Sequence, residues 1–117
     1  MGFTHAHRND CETSGNWILV RRTLDLHAFG INVVDIEPGA QIPEHDETAR
    51  DQEEVFHVLR GNLTLVVDGE EIAAPAGDFL RLDPEHTRTA RNDTDEPAQL
   101  LIASAPRTSG YEPMEWA

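Results

Sequence analysis

From Glu53 to Ala105 the chain is cut into short β-rich pieces by turn residues at close, regular spacing, and few folds accept that rhythm. Glu53–Arg60 alternates, which puts Glu54, Phe56 and Val58 on one face and His57, with Val55 and Leu59, on the other. Gly61-Asn62 predicts a tight hairpin into Leu63–Val67, and Asp68-Gly69 a second one into Glu70–Ala74. Pro75-Ala76-Gly77 then turns into Phe79–Leu82, and Asp83-Pro84 into His86–Asn92. After the polar loop Asn92–Pro97, Gln99–Ala105 forms the last strand, stopped by Pro106. Upstream, Phe29–Ile36 is a β-branched strand closed by Pro38-Gly39, and Trp17–Leu26 reads as β-rich. Ala40–Gln52 reads as a loop. No long segment carries the helical period. The expectation is one all-β domain, a sandwich or barrel over residues 17–105, with a polar N-terminal extension at 1–16 and an irregular tail at 106–117.

Composition narrows the function classes. A chain of 117 residues is enough for one core. Its net charge of −13 disfavours nucleic acid and anionic membrane, which both need a basic face. The single Cys11 excludes an internal disulfide, and a cytoplasmic location is expected. The N-terminus has no apolar signal-peptide core, and no apolar run approaches membrane-spanning length.

The stretch Gly39–Gly61 carries the chemistry. Gly39 is followed after five residues by His45, and Glu54 is followed after six by Gly61. This resembles the first motif of the cupin family, G-x5-H-x-H-x3,4-E-x6-G. Glu47 stands where the family has its second His, and the gap from Glu47 to Glu54 is longer than the pattern allows. Gly77 and Asn92 bracket a second motif, G-x5-P-x-G-x2-H-x3-N, in which Asp83, Glu85 and Arg88 replace the Pro, Gly and His. The resemblance, running from Phe29 to Ala105, implies a cupin-type jelly-roll barrel. It also implies a pocket in the barrel mouth that takes a small molecule, and it suggests a homodimer, since small cupins commonly pair.

Two readings of that pocket stand side by side. In the first, the chain is a metal-dependent enzyme of dioxygenase or isomerase type, in which His45, Glu47, Glu54 and His86 hold one divalent ion, Fe, Mn, Ni or Zn, because imidazole and carboxylate both suit such metals. His86 lies two residues before Arg88, so on a strand it points the same way. Arg88 itself has no lone pair to give. In the second, no metal is present, and Arg88 anchors an anionic small ligand in a pocket lined by Phe56, Val58 and Leu65. Pairing of Arg88 with Glu54 or Glu47 would neutralise the carboxylates, and a Glu54–Arg88 pair would hold the Glu54 carboxyl below its usual range. His5 and His7 read as solvated residues of a mobile terminus, and His27 has no partner that the sequence names.

Overall fold

A computed structural model describes residues 2–117. Nine strands form two antiparallel sheets. They are β1 (Thr13–Ser14), β2 (Trp17–Ile18), β3 (Gly30–Ile36), β4 (Gln52–Arg60), β5 (Asn62–Val67), β6 (Glu70–Pro75), β7 (Phe79–Leu82), β8 (Arg88–Arg91) and β9 (Ala98–Pro106). The larger sheet has the order β1-β2-β3-β9-β4-β7, and the smaller one β6-β5-β8. Their inner faces share one core: Val34, Ile36, Phe56, Val58 and Leu100 from the first meet Leu63, Leu65, Ala74 and Ala90 from the second. The alternation read in Glu53–Arg60 is kept, since Glu54, Phe56 and Val58 are buried and the residues between them are not.

Asp68 and Gly69 both take positive φ, 50° and 82°, as a two-residue hairpin between β5 and β6 requires. Gly61 does something else. It too has positive φ, 76°, but it joins β4 of one sheet to β5 of the other. The expected hairpin there is a corner between sheets. A Cβ on Gly61 would stand 2.7 Å from the Pro97 carbonyl oxygen, so the chain can only turn this tightly without a side chain.

Trp17–Leu26 also departs from expectation. Only Trp17–Ile18 is strand, and Val20–Leu24 winds into a short helix, α1. Arg21, Arg22 and Leu24 are good helix formers. Thr23 Oγ1 donates to the Leu19 carbonyl and accepts from the Glu12 amide, which ties the turn to the chain before it. Asp25, in the left-handed region, ends the helix. The ordered sheet also begins earlier than residue 17, because Thr13–Ser14 pairs with Trp17–Ile18.

The segment read as a loop from Ala40 lies along β8. Ile42 donates to the Ala90 carbonyl and Asn92 to that of Ala40, while His45 and Arg88 exchange both backbone bonds, at 3.1 and 2.8 Å. Thr89 Oγ1 adds a bond to the Ile42 carbonyl. Gln41 and His45 thus bridge to the free edge of β8 at two isolated points, without forming a strand.

Candidate functional site

Two pieces of chain that belong to different sheets bring three side chains together. His45 hangs from its backbone pairing with Arg88, on the side of the smaller sheet. Glu54 comes from β4 of the larger sheet, on the same inward row as Phe56 and Val58. Glu47 is placed by its amide bond to the Pro84 carbonyl, and its own carbonyl accepts from Gln52 at the start of β4. His45 Nε2 lies 3.1 Å from Glu47 Oε1 and 3.9 Å from Glu54 Oε1. One donor atom from each of the three falls within 4.8 Å of the others.

The His45 ring is oriented for this. Its Nδ1 stands 2.9 Å from the Pro43 carbonyl oxygen, which can only accept, so Nδ1 carries the proton. In the neutral ring Nε2 then presents its lone pair to the two carboxylates, the arrangement common to metal-binding histidines. Glu54 is 6% exposed, and its Oε1 accepts no hydrogen bond. Arg88 Nε is 3.4 Å away, close enough for an ion pair but without hydrogen-bond geometry, and it too is unpartnered. A buried carboxylate oxygen left unsatisfied is costly. One imidazole nitrogen and two carboxylate oxygens, one of them orphaned, are a donor set that fits a divalent cation. The nearby guanidinium weakens that fit without closing it.

Burial pushes the Glu54 carboxyl above its usual range, and the neighbouring Glu47 charge pushes it further. Arg88 and His45 pull the other way and do not prevail. The expected depression of Glu54 by Arg88 is therefore reversed.

Other expected residues are placed elsewhere. His86 does not join the cluster. The chain is still in a turn at that point, β8 begins only at Arg88, and the two-residue strand spacing that would align them is absent. Its Nδ1 is instead 2.6 Å from Asp68 Oδ2 at the surface. Arg88, 0% exposed, is no open anchor for an anion. Its terminal nitrogens donate to the backbone carbonyls of Asp83, Pro84 and His86, and these bonds pin the turn before β8. Phe56, Val58 and Leu65 are packed in the core, at most 1% exposed, rather than around the cluster.

The walls of the cavity at the cluster, about 220 Å³, come from β3, β4 and β9, from Trp17, and from the segment that carries His45, Glu47 and Arg50. Gly30, Ser104 and Glu54 lie opposite one another across β3, β9 and β4. A Cβ on Gly30 would come within 2.7 Å of Ser104 Oγ. Small residues on this inward row leave the space that Phe56 and Ile102 fill one row deeper. A glycine and a serine inside strand patterns were the available signal. Arg50 and Gln52 also line the cavity; alternation puts Gln52 on the same face as Glu54, whereas nothing in the sequence singled out Arg50.

Comparison with known proteins agrees with this architecture. A cupin protein from Bacteroides fragilis superposes with a TM-score of 0.84 at 21% identity, covering 99% of this chain and 93% of that one. A Cupin 2 conserved barrel domain protein from Salinispora arenicola gives 0.69 at 22% identity, over 93% and 92% of the two chains. A sugar phosphate isomerase of the cupin superfamily from Silicibacter pomeroyi gives 0.67 at 27% identity, over 78% of this chain and 60% of that one. No curated protein matches the sequence. The sequence pattern of the cupin domain (Cupin_2) matches residues 32–104, which run from β3 through β9 and contain all three clustered side chains. With both the two-sheet barrel and the greater part of the sequence in agreement, the chain belongs to the cupin family.

Proposed function

We propose that this cupin holds one divalent ion on His45, Glu47 and Glu54 and acts on a small polar molecule that enters from the adjoining cavity. The observation that carries the reading is the buried Glu54 Oε1, which accepts no hydrogen bond, beside His45 Nε2. Two oxygens and one nitrogen favour Mn or Fe over softer choices, with Ni and Zn next in line. When bound, the ion supplies a Lewis acid beside the oxygens of the substrate. The chain's own part is positioning. Pro43 fixes the ring of His45, Arg88 faces the inner carboxylate, and Gly30 and Ser104 keep the neighbouring wall thin. The likeness to a sugar phosphate isomerase supports a small, oxygen-rich substrate.

Elemental analysis of protein purified without added metal tests this, followed by calorimetric titration with Mn(II), Fe(II), Ni(II) and Zn(II). About one ion per chain is expected, with His45→Ala and Glu47→Gln each losing at least about tenfold in affinity. Absence of metal on purification together with no binding of any of the four ions would leave a metal-free pocket and overturn the reading.

A further inference from the structure

A second cavity, about 460 Å³, adjoins the metal site, and Gly30, Arg50, Gln52 and Ser104 line both. Its walls run against the charge of the molecule. The chain has 22 acidic residues and a net charge of −13, yet among the described residues no carboxylate lines this cavity. Arg21 and Arg50 do, together with His27.

These two arginines are unusual in this chain. Arg8, Arg22, Arg81, Arg88, Arg91 and Arg107 each sit in an ion pair with a carboxylate. Among the described residues, only Arg21, Arg50 and Arg60 of the arginines have no such partner, and two of those three face the same space. The carboxylate next to Arg50 in sequence, Asp51, is taken by Arg107 at 2.7 Å. Arg21 is held in place by one bond, from its Nη1 to the Leu26 carbonyl at 3.0 Å, which leaves its other donors free.

We propose that Arg50 and Arg21 form an oxyanion subsite that binds a carboxylate or phosphate group of the ligand whose other end reaches His45, Glu47 and Glu54. The planar fork of a guanidinium matches either group in two-point fashion. The ligand class is thus a small acid with a chelating hydroxy-acid end and a separate anionic end. The assignment of the second end to the metal site rests on the proposed function; the subsite itself does not.

Paired probes test it by calorimetry on Mn(II)-loaded protein: malate against lactate, and 3-phosphoglycerate against glycerate. Each pair shares its hydroxy-acid end and differs in the remote anion. At least one remote anion should tighten binding by at least about tenfold. Which pair responds tells carboxylate from phosphate. In Arg50→Met and Arg21→Met that preference should fall below about threefold while each variant still unfolds cooperatively in urea, and Arg50→Lys should restore part of it. Equal binding within both pairs, or a preference that survives both methionine variants, overturns the proposal. The same titrations on chelator-treated protein separate it from the metal reading. An arginine-dependent preference there, in a protein that takes up no metal, supports the subsite and sinks only the metal.

Discussion

Arg88 stands where the cupin pattern has a metal-ligating imidazole, and its side chain is spent on the backbone instead. Its nitrogens serve the carbonyls of Asp83, Pro84 and His86 and face Glu54. Arg88→Met strands those carbonyls and leaves Glu54 buried without a cation. We expect a loss of roughly 3–5 kcal/mol in urea unfolding, and a change under about 1 kcal/mol would show that the pin is dispensable. Glu54 gives a pH signature in metal-free protein. Its folded-state carboxyl titrates above the ordinary 4.5, so the folded chain takes up a proton before the unfolded chain does. Its stabilising contribution is complete below the unfolded value and is lost as pH rises through the folded one. Urea midpoints of wild type should therefore gain on those of Glu54→Gln as pH is lowered from 7 toward 4.5, and a constant gap would contradict the shift. His45 and Glu47 were legible in the sequence from the motif spacing alone, and Glu54 from that spacing together with the strand alternation of Glu53–Arg60. His86 was misplaced because alternation was extended into a turn. Arg50 and Arg21 were invisible because what marks them, the lack of a carboxylate partner, is a property of the folded arrangement.

At the level of elements, most strands were readable to within a residue or two, since their ends are set by local turn chemistry. Sheet membership was not. Gly61 and Gly69 look alike in sequence and share positive φ, yet one is a corner between sheets and the other a hairpin tip. Their substitutions should differ accordingly. Gly69→Ala meets nothing within 4 Å and carries only the backbone strain, about 1 kcal/mol. Gly61→Ala adds a clash with the backbone of Pro97 and Ala98 and should cost at least about 3 kcal/mol. Thermal or urea unfolding of the two variants checks the order, and equal losses would mean that the corner yields easily. The segment 40–47 is a loop, as read, but its bridges to β8 were not legible, because its proline and its polar residues are poor strand formers and the bonds that hold it come from distant residues of the chain.

For the molecule as a whole, several large apolar side chains remain on the surface. Phe79, on the edge strand β7, is 72% exposed and stacks on His57 with ring centroids 3.9 Å apart. Tyr111 and Trp116 in the tail are 77% and 84% exposed. No helix of the described chain is long and apolar enough to cross a membrane. We propose a homodimer that covers the outer face of the larger sheet, where β7 also offers an unpaired edge. Light scattering at micromolar concentration should return twice the chain mass of 13.1 kDa, and a value near 13.1 kDa itself would overturn this. The turn at Thr48–Arg50 has its own bearing on how such a protein diversifies. It belongs to the residues by which the gap between Glu47 and Glu54 exceeds the cupin pattern, and it is the turn that delivers Arg50 to the mouth. His45 and Glu54 are locked by neighbouring strands, whereas this turn is a separate insert between them. In the proposed reading the two sites meet at Glu47, which caps this turn and is also the third member of the cluster, so rewriting the turn to change ligand choice would bear on one ligand of the ion while leaving His45 and Glu54 on their strands.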